Sequence, residues 1–216
     1  MTKLFIHSTE PELAARMRPE VYEKILKRRQ ALKEVFGEKL SNVTQFTLEI
    51  GCGHGHFLTA YGQDHPKELC IGIDVNKGRI YKALRKSGRT NLGNVLFFEC
   101  DSMEFLNLLP THVRLSKTWI LYPDPWPKKR HFKNRIVQGP FLQKLASSTI
   151  PAGRLYIRSD YEPYLDWSKE LLNDSLNWQC QENYAWPEIA TTVFQELTNN
   201  QHYSLVAELK PREQRH

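Results

Sequence analysis

From about residue 45 onward, short apolar runs of strand length alternate with longer stretches of helical periodicity. This alternation constrains the chain strongly, because each helix has to return the chain to the start of a parallel strand. The predicted strands occupy residues 46–50, 69–74, 94–99, 117–122 and 154–158, with late strands at 192–194 and 203–209. The pattern predicts an α/β fold: a doubly wound, Rossmann-like sheet, mostly parallel with a late antiparallel strand, which binds ligands at the carboxyl ends of its strands.

The chain is predicted to form a single domain over residues 1–216, within which two segments differ in character. Residues 1–40 form a helical, basic extension, because apolar residues recur at helical spacing over residues 11–40 among many lysines and arginines. Residues 45–210 form the core. Two interpretations of the basic helix stay open: a solvated face, which charge runs usually are, and a second contact surface for phosphates.

Three glycines follow the first predicted strand in the segment Glu49-Ile50-Gly51-Cys52-Gly53-His54-Gly55. Glycine lets the backbone turn tightly and approach a ligand closely. In the dinucleotide fingerprint the last glycine falls three residues after the second, whereas here it falls two after. The pattern E-x-G-x-G-x-G resembles the loop of class I S-adenosylmethionine-dependent methyltransferases. The resemblance implies S-adenosyl-L-methionine as the cofactor, with Glu49 favouring its ammonium and sulfonium charges.

Asp74 and Asp101 close the second and third predicted strands, so they are expected beside the glycine loop at one edge of the sheet. Asp74 is placed to accept hydrogen bonds from both ribose hydroxyls, and Asp101 from the adenine amine. For each aspartate alone, a helix cap is the alternative interpretation. His54 and His56 have no acid or cysteine placed to help them, so they are interpreted as loop side chains and no metal is expected.

A proline-rich, basic segment reads YPDPWPKKRHFKNR from Tyr122 to Arg135. Proline fixes φ and removes a hydrogen-bond donor, so the segment is predicted to be a rigid loop after the fourth strand. An acid, a tryptophan and a run of cations suit an anion that also has flat rings, and nucleic acid fits best. The formal net charge of +6 agrees with an acidic partner. For Trp126, stacking on a base and packing beneath the loop both stay open.

The motif Pro123-Asp124-Pro125-Trp126, with Lys128, Arg130-His131 and residues 133–138 after it, is similar to that of the bacterial tRNA (guanine-N7-)-methyltransferase family. The resemblance implies methylation at N7 of a guanosine in the variable loop of tRNA. Guanine N7 carries a free lone pair, so catalysis consists of positioning and of excluding water. Asp124 is expected to accept hydrogen bonds from guanine N1–H and N2–H₂ and to offset the charge that develops on the ring.

Further substrate contacts are expected around this motif. On the family's pattern, Lys128 and Asp160 map as substrate-binding residues. Arg130, Lys133 and Arg135, together with Lys128, are expected to hold phosphates, which positions the RNA without reading its sequence.

The sequence departs from the family near its carboxyl end, where the motif T-x-F/Y-E falls on Thr192 to Gln195. Both residues are candidate substrate contacts, but Gln195 replaces the family's glutamate and cannot supply its charge. A second hypothesis is therefore a methyltransferase-fold protein that binds RNA with weak or no catalysis. A third, a small-molecule methyltransferase with a solvated basic lid, is disfavoured by the combination of Asp124 with the basic loop.

Cysteine usage and hydropathy indicate the cellular compartment of the protein. The four cysteines form no C-x-x-C pair and suit neither a zinc site nor a disulfide framework, which favours a reducing cytoplasm. No apolar run approaches membrane-spanning length, and the amino terminus lacks a signal pattern. We therefore expect a cytoplasmic enzyme, with tRNA as partner and no membrane contact; monomer and homodimer both stay open.

Overall fold

The computed structural model describes residues 17–184, 186, 187 and 201–211. Within them, seven strands form one sheet in the order β3-β2-β1-β4-β5-β7-β6. The strands are β1 (Gln45–Ile50), β2 (Cys70–Asp74), β3 (Val95–Glu99), β4 (Arg114–Leu121), β5 (Thr149–Ser159), β6 (Trp178–Cys180) and β7 (Tyr203–Leu209). The pairs among β1 to β5 are parallel, whereas β7 runs antiparallel to both β5 and β6. This arrangement confirms the predicted fold class.

Helices connect the parallel strands, as the alternation in the sequence requires. They are α1 (Pro19–Lys39), α2 (His56–Asp64), α3 (Lys77–Thr90), α4 (Ser102–Leu108), α5 (Gly139–Ser147) and α6 (Glu162–Asn173), with a 3₁₀ helix over Lys129–Asn134. Among the described residues, no helix has the length and apolar character that crossing a membrane requires. The predicted strand at 192–194 and residues 11–16 of the predicted basic helix lie outside the described residues.

The strand order reverses between β1 and β4, which is where an open α/β sheet leaves a crevice. The register brings Ile50 of β1 beside Ile73 of β2 and Ile120 of β4. All three isoleucines are buried, since strands covered by helices on both faces have apolar side chains on both faces. The residues that follow them therefore emerge together at one edge of the sheet.

Helix α1 packs against α4 by apolar and ionic contacts. The ring of Phe36 meets that of Phe105 edge to face, with centroids 5.2 Å apart, and both side chains are buried. Arg28 and Arg29 both bind the carboxylate of Glu104, Arg29 with its Nε 3.2 Å from Oε1. The division of the chain into an extension and a core stays a prediction, but the described part of the extension is anchored to the sheet's helical layer.

Two strand features differ from the predictions. Strand β6 was not predicted, because three residues are too few to show an alternating pattern. Strand β5 begins at Thr149, ahead of the predicted strand at 154–158, and its register against β4 shifts between Leu115 and Lys117. The extra residues form a bulge in which Ala152 has a φ of 58°.

Two helical glycines should respond oppositely to alanine. A Cβ on Gly62 would lie 2.3 Å from Val95 Cγ2, whereas a Cβ on Gly88 would meet no described atom within 4 Å. Gly62→Ala should lower the free energy of unfolding by about 1–3 kcal/mol, because overpacking outweighs the gain in helix propensity. Gly88→Ala should raise it by about 0.5–1 kcal/mol. Urea unfolding measures both, and a Gly62→Ala protein as stable as the wild type would contradict the close packing of α2 on β3.

Candidate active site

A cavity of about 450 Å³ opens at the carboxyl ends of the parallel strands. Of the residues predicted for the site, it brings together Gly51, Asp74, Asp101, Asp124, Lys133 and Arg135 in its lining. Six other described residues that were predicted for the site do not line it: Glu49, Gly53, Gly55, Lys128, Arg130 and Asp160. Thr192 and Gln195 lie outside the described residues.

The glycine loop turns in the left-handed region at three positions. Gly51, Gly53 and Gly55 have φ values of 77°, 55° and 69°, which glycine adopts without steric cost. A Cβ on Gly55 would also lie 2.6 Å from the ring of Phe97, so the third glycine is required by packing. The loop is tied to the second strand by the N–H of Gly53, which donates to Asp74 Oδ2 at 3.1 Å.

Glu49 is a buried carboxyl group next to this loop, with only 4% of its surface exposed. Burial, and secondarily the charge of Asp74, raise its pKa to about 8 from 4.5, although a backbone hydrogen bond from Leu58 opposes the shift. Its Oε2 is buried and has no hydrogen-bond partner among the described residues. A buried carboxyl group that is costly to ionise and has one oxygen without a partner among the described residues suits a cationic ligand group.

Asp74 and Asp101 reach the cavity from the ends of β2 and β3. Asp74 is almost fully buried; its Oδ1 accepts from the N–H of Asn76 at 2.8 Å, and its Oδ2 lies 3.5 Å from Arg79 Nη1. Asp101 caps α4, because its Oδ1 accepts from the N–H of Met103 at 2.9 Å. The capping role considered from the sequence is therefore present at Asp101, and the same side chain lines the cavity.

The loop after β4 has two non-glycine residues in the left-handed region. Tyr122 and Trp126 have φ values of 49° and 44°, and they flank Asp124 on either side. Such conformations cost about 1–3 kcal/mol each and cluster at functional sites. Asp124 is exposed and lines the cavity. Trp126 lines it too, with 36% of its surface exposed and its ring edge to face with His131.

Arg135 holds this loop from beneath and is only 2% exposed. Its Nε donates to the carbonyl oxygen of Pro125 at 3.0 Å. Its guanidinium lies 3.7 Å from the ring centre of Phe132 and 5.2 Å from that of Trp167. Sequence reasoning grouped Arg135 with the phosphate-binding cations, but its burial favours a role in fixing the loop that carries Asp124.

The other predicted cations of the loop face outward. Lys128, Arg130 and Lys133 are all exposed, the last two within the 3₁₀ helix. Asp160 is exposed and directly follows β5. These side chains are available to a large ligand at the mouth of the cavity.

The strand order, the glycine loop after β1 and the acids after β2 and β3 define a Rossmann-like methyltransferase fold. Solved structures agree. The aminoglycoside resistance methyltransferase NpmB1 superposes with a TM-score of 0.57 at 15% identity, over 82% of this chain and 93% of that one. A precorrin-6y C5,15-methyltransferase from Geobacter metallireducens gives 0.54 at 11% identity, over 85% and 86%. At such low sequence identities, the similarity to these two structures shows a shared fold and nothing further.

A family model described as "Putative methyltransferase" matches residues 43–207, and the chain belongs to this family. The tRNA (guanine-N(7)-)-methyltransferase of Thiobacillus denitrificans is 34% identical over 58% of this chain and 56% of its own length. That of Chromohalobacter salexigens is 31% identical over 76% of this chain and 64% of its own length. The chain thus matches a little over half to just under two thirds of these relatives, and the resemblance seen in its motifs is confirmed.

Membership of a methyltransferase family supports S-adenosyl-L-methionine as the methyl donor. The residues present fit this molecule. It carries an ammonium and a sulfonium charge, which suit the unpartnered oxygen of Glu49, and hydroxyl and amine donors, which suit carboxylates such as Asp74 and Asp101.

Glu49 should make stability depend on pH. Between its unfolded pKa of 4.5 and its folded pKa of about 8, the unfolded chain releases a proton that the folded protein keeps. The contribution of Glu49 to stability is therefore fully present below pH 4.5 and is lost as the pH rises through 8. In urea unfolding, the free energy of unfolding of Glu49→Gln should increase relative to that of the wild type as the pH is raised from 5 to 9. A difference that does not vary with pH would contradict the raised pKa.

Arg135 should contribute to the stability of the protein, whereas the exposed Arg130 of the same loop should not. Arg135→Gln should lower the free energy of unfolding by about 1–3 kcal/mol, because the partly buried carbonyl of Pro125 loses its donor and the aromatic rings lose their contact. Arg130→Gln, in the same loop but exposed, serves as the control and should stay within about 0.5 kcal/mol. Equal effects of the two variants in urea unfolding would argue against Arg135 as the support of the loop.

Proposed function

We propose that this protein transfers the methyl group of S-adenosyl-L-methionine to N7 of a guanosine in tRNA, in the variable loop. The similarity to bacterial tRNA (guanine-N(7)-)-methyltransferases supports the reaction. One observation in the structure supports the site: Asp124 lines the same cavity as Asp74 and Asp101. A base held by Asp124 is thereby brought next to a donor held by the other two acids. A tRNA substrate also agrees with the predicted cytoplasmic location.

The donor site is assigned to the ends of β1, β2 and β3. S-adenosyl-L-methionine supplies an activated methyl group when it is bound. Asp74 orients the ribose by accepting from its hydroxyls, and Asp101 accepts from the adenine amine. Glu49 balances the positive charge of the donor through its buried carboxylate. The open backbone at Gly51, where a Cβ would meet no described atom within 4 Å, allows the donor to approach closely.

The target site is assigned to the loop after β4. Guanine N7 needs no base to remove a proton, so the protein contributes orientation and a dry cavity. The carboxylate of Asp124 accepts from N1–H and N2–H₂, which adenine cannot offer in the same pattern, and it stabilises the positive charge that develops on the ring. The strained backbone at Tyr122 and Trp126 supports this role, since it fixes where the carboxylate is presented. Trp126 offers a partly exposed ring on which a base can stack.

The exposed cations of the loop are assigned to the tRNA backbone. Lys128, Arg130 and Lys133 bind phosphates and position the RNA without reading its sequence. Arg135 acts indirectly, by holding the loop in place. Asp160, which follows β5, is a further substrate contact at the same edge. The assignment of Thr192 and Gln195 as substrate contacts rests on the sequence alone.

The decisive experiment measures transfer of labelled methyl groups to an unmodified tRNA transcript. The wild type should label N7 of one guanosine. Asp124→Asn should lower kcat/KM about 100- to 1000-fold, because a group that stabilises charge in the transition state is lost. Its affinity for S-adenosylhomocysteine should stay within about twofold, since the change leaves the donor site intact. Asp64→Asn, an exposed aspartate at the end of α2, is the matched control and should behave as the wild type.

Two outcomes separate the hypotheses. Wild-type protein that binds tRNA but transfers no methyl group to N7 would support the RNA-binding alternative that Gln195 suggests. Normal turnover by Asp124→Asn would refute the role assigned to Asp124 while leaving the reaction itself in place.

A further inference from the structure

Helix α3 carries more net positive charge than any other helix or strand among the described residues. Its 14 residues contain six cations and no acid, so it holds as much net positive charge as the chain as a whole, which is +6. Its cations are Lys77, Arg79, Lys82, Arg85, Lys86 and Arg89. The basic helix α1 is different, because it interleaves six cations with four glutamates.

Most of the cations on α3 have no counter-charge within ion-pair distance among the residues that the structure describes. Arg79 faces Asp74, and Lys86 contacts the ring of His56. Lys77, Lys82, Arg85 and Arg89 are exposed, and none of these four forms an ion pair within the described part of the chain. By contrast, α1 directs Arg28 and Arg29 to Glu104.

Three of the unpaired cations share one face of the helix. Lys82, Arg85 and Arg89 are spaced at i, i+3 and i+7, which places them on one stripe about 10 Å long. The opposite face is buried and consists of Ile80, Ala83 and Ser87. The stripe is therefore directed away from the sheet.

This arrangement is costly for an isolated helix. Like charges at i, i+3 or i, i+4 destabilise a helix by about 0.2–0.5 kcal/mol per pair, and α3 has no acid to offset them. Only Arg89, in the last turn, gains from the helix dipole. An anion bound from outside would relieve the repulsion between all three.

Tyr81 lies on the same face, one turn before Arg85, and is 63% exposed. An exposed aromatic ring beside unpaired cations combines a stacking platform with phosphate-binding groups, which is the pattern of nucleic-acid surfaces.

The amino-terminal end of α3, which leads into the stripe, lies at the cavity. Val75, just before α3, and Arg79, in its first turn, both line the cavity. In the sheet, β1 lies between β2, which α3 follows, and β4, which the basic loop follows. The cavity is therefore flanked by two basic surfaces, and a polyanion that reaches Asp124 from the loop side can extend along α3.

We propose that the exposed face of α3, formed by Tyr81, Lys82, Arg85 and Arg89, is a second tRNA-binding surface. The identification of the bound RNA as tRNA rests on the proposed function. The three cations bind backbone phosphates of the tRNA body, while the loop after β4 holds the target nucleotide. The surface contributes affinity and orientation and takes no part in methyl transfer.

The test compares two triple variants that each remove three positive charges. Lys82→Gln/Arg85→Gln/Arg89→Gln neutralises the stripe, and glutamine preserves helix propensity. Lys39→Gln/Lys67→Gln/Lys169→Gln removes three exposed cations located elsewhere and serves as the control. Because both carry the same net charge, a general electrostatic effect would appear equally in the two.

We expect the stripe variant to bind unmodified tRNA transcript about tenfold or more weakly, with the slope of log K against log salt reduced by about 2–3. Its KM for tRNA should rise, while its kcat at saturating tRNA and its affinity for S-adenosylhomocysteine should match the wild type. Tyr81→Ala should weaken binding further. The control variant should keep the wild-type affinity within about twofold.

Each outcome supports or refutes the proposed surface on α3. If the wild type binds tRNA and the stripe variant binds it equally well, with the same salt slope, the surface is refuted and the proposed function stands. If the wild type binds tRNA, transfers no methyl group and loses affinity in the stripe variant, the surface stands and the proposed function falls. If the wild type does not bind tRNA, both are refuted.

Discussion

The parallel pairing of β1 with both β2 and β4 is the constraint on which the rest of the molecule depends. The register sets Ile50, Ile73 and Ile120 side by side, so the three strands end at a common level. The glycine loop, Asp74 and the Asp124 loop then emerge around one cavity. A slip of one residue in either pair would turn every following side chain to the opposite face of the sheet.

The charges around the cavity are arranged by depth. Asp74 and Asp101 line the cavity and are buried or half-buried, Glu49 is buried next to the glycine loop, and Asp124 is exposed at the mouth. Exposed cations lie outside, on the loop after β4 and on α3. Such an arrangement attracts a small cationic donor to the interior and a polyanion to the mouth, and it keeps the two from competing for the same groups. The preference for each ligand therefore follows from position as well as from residue type.

The sequence predicted the features that arise from local patterns. Strand ends and glycine spacing located Asp74, Asp101 and Asp124, because each lies at the end of an apolar strand or within three residues after it. The burial of Arg135 was not predictable, since Trp167 beneath it lies 32 residues further along the chain. The exposed cationic face of α3 was not predictable either, because the sequence does not reveal which lysines and arginines lack an ion-pair partner. Both features depend on tertiary contacts.

The attachment of α1 has a consequence for how much of the chain the cavity needs. Glu104 is 9% exposed and takes both of its guanidinium partners from α1. It sits in the first turn of the helix that Asp101 caps. A protein shortened to begin at β1 would lack both arginines that pair with this carboxylate, in the same helix turn that Asp101 caps. The amino-terminal helix thus supports the pocket indirectly, and its removal would weaken the binding of a ligand that it does not contact.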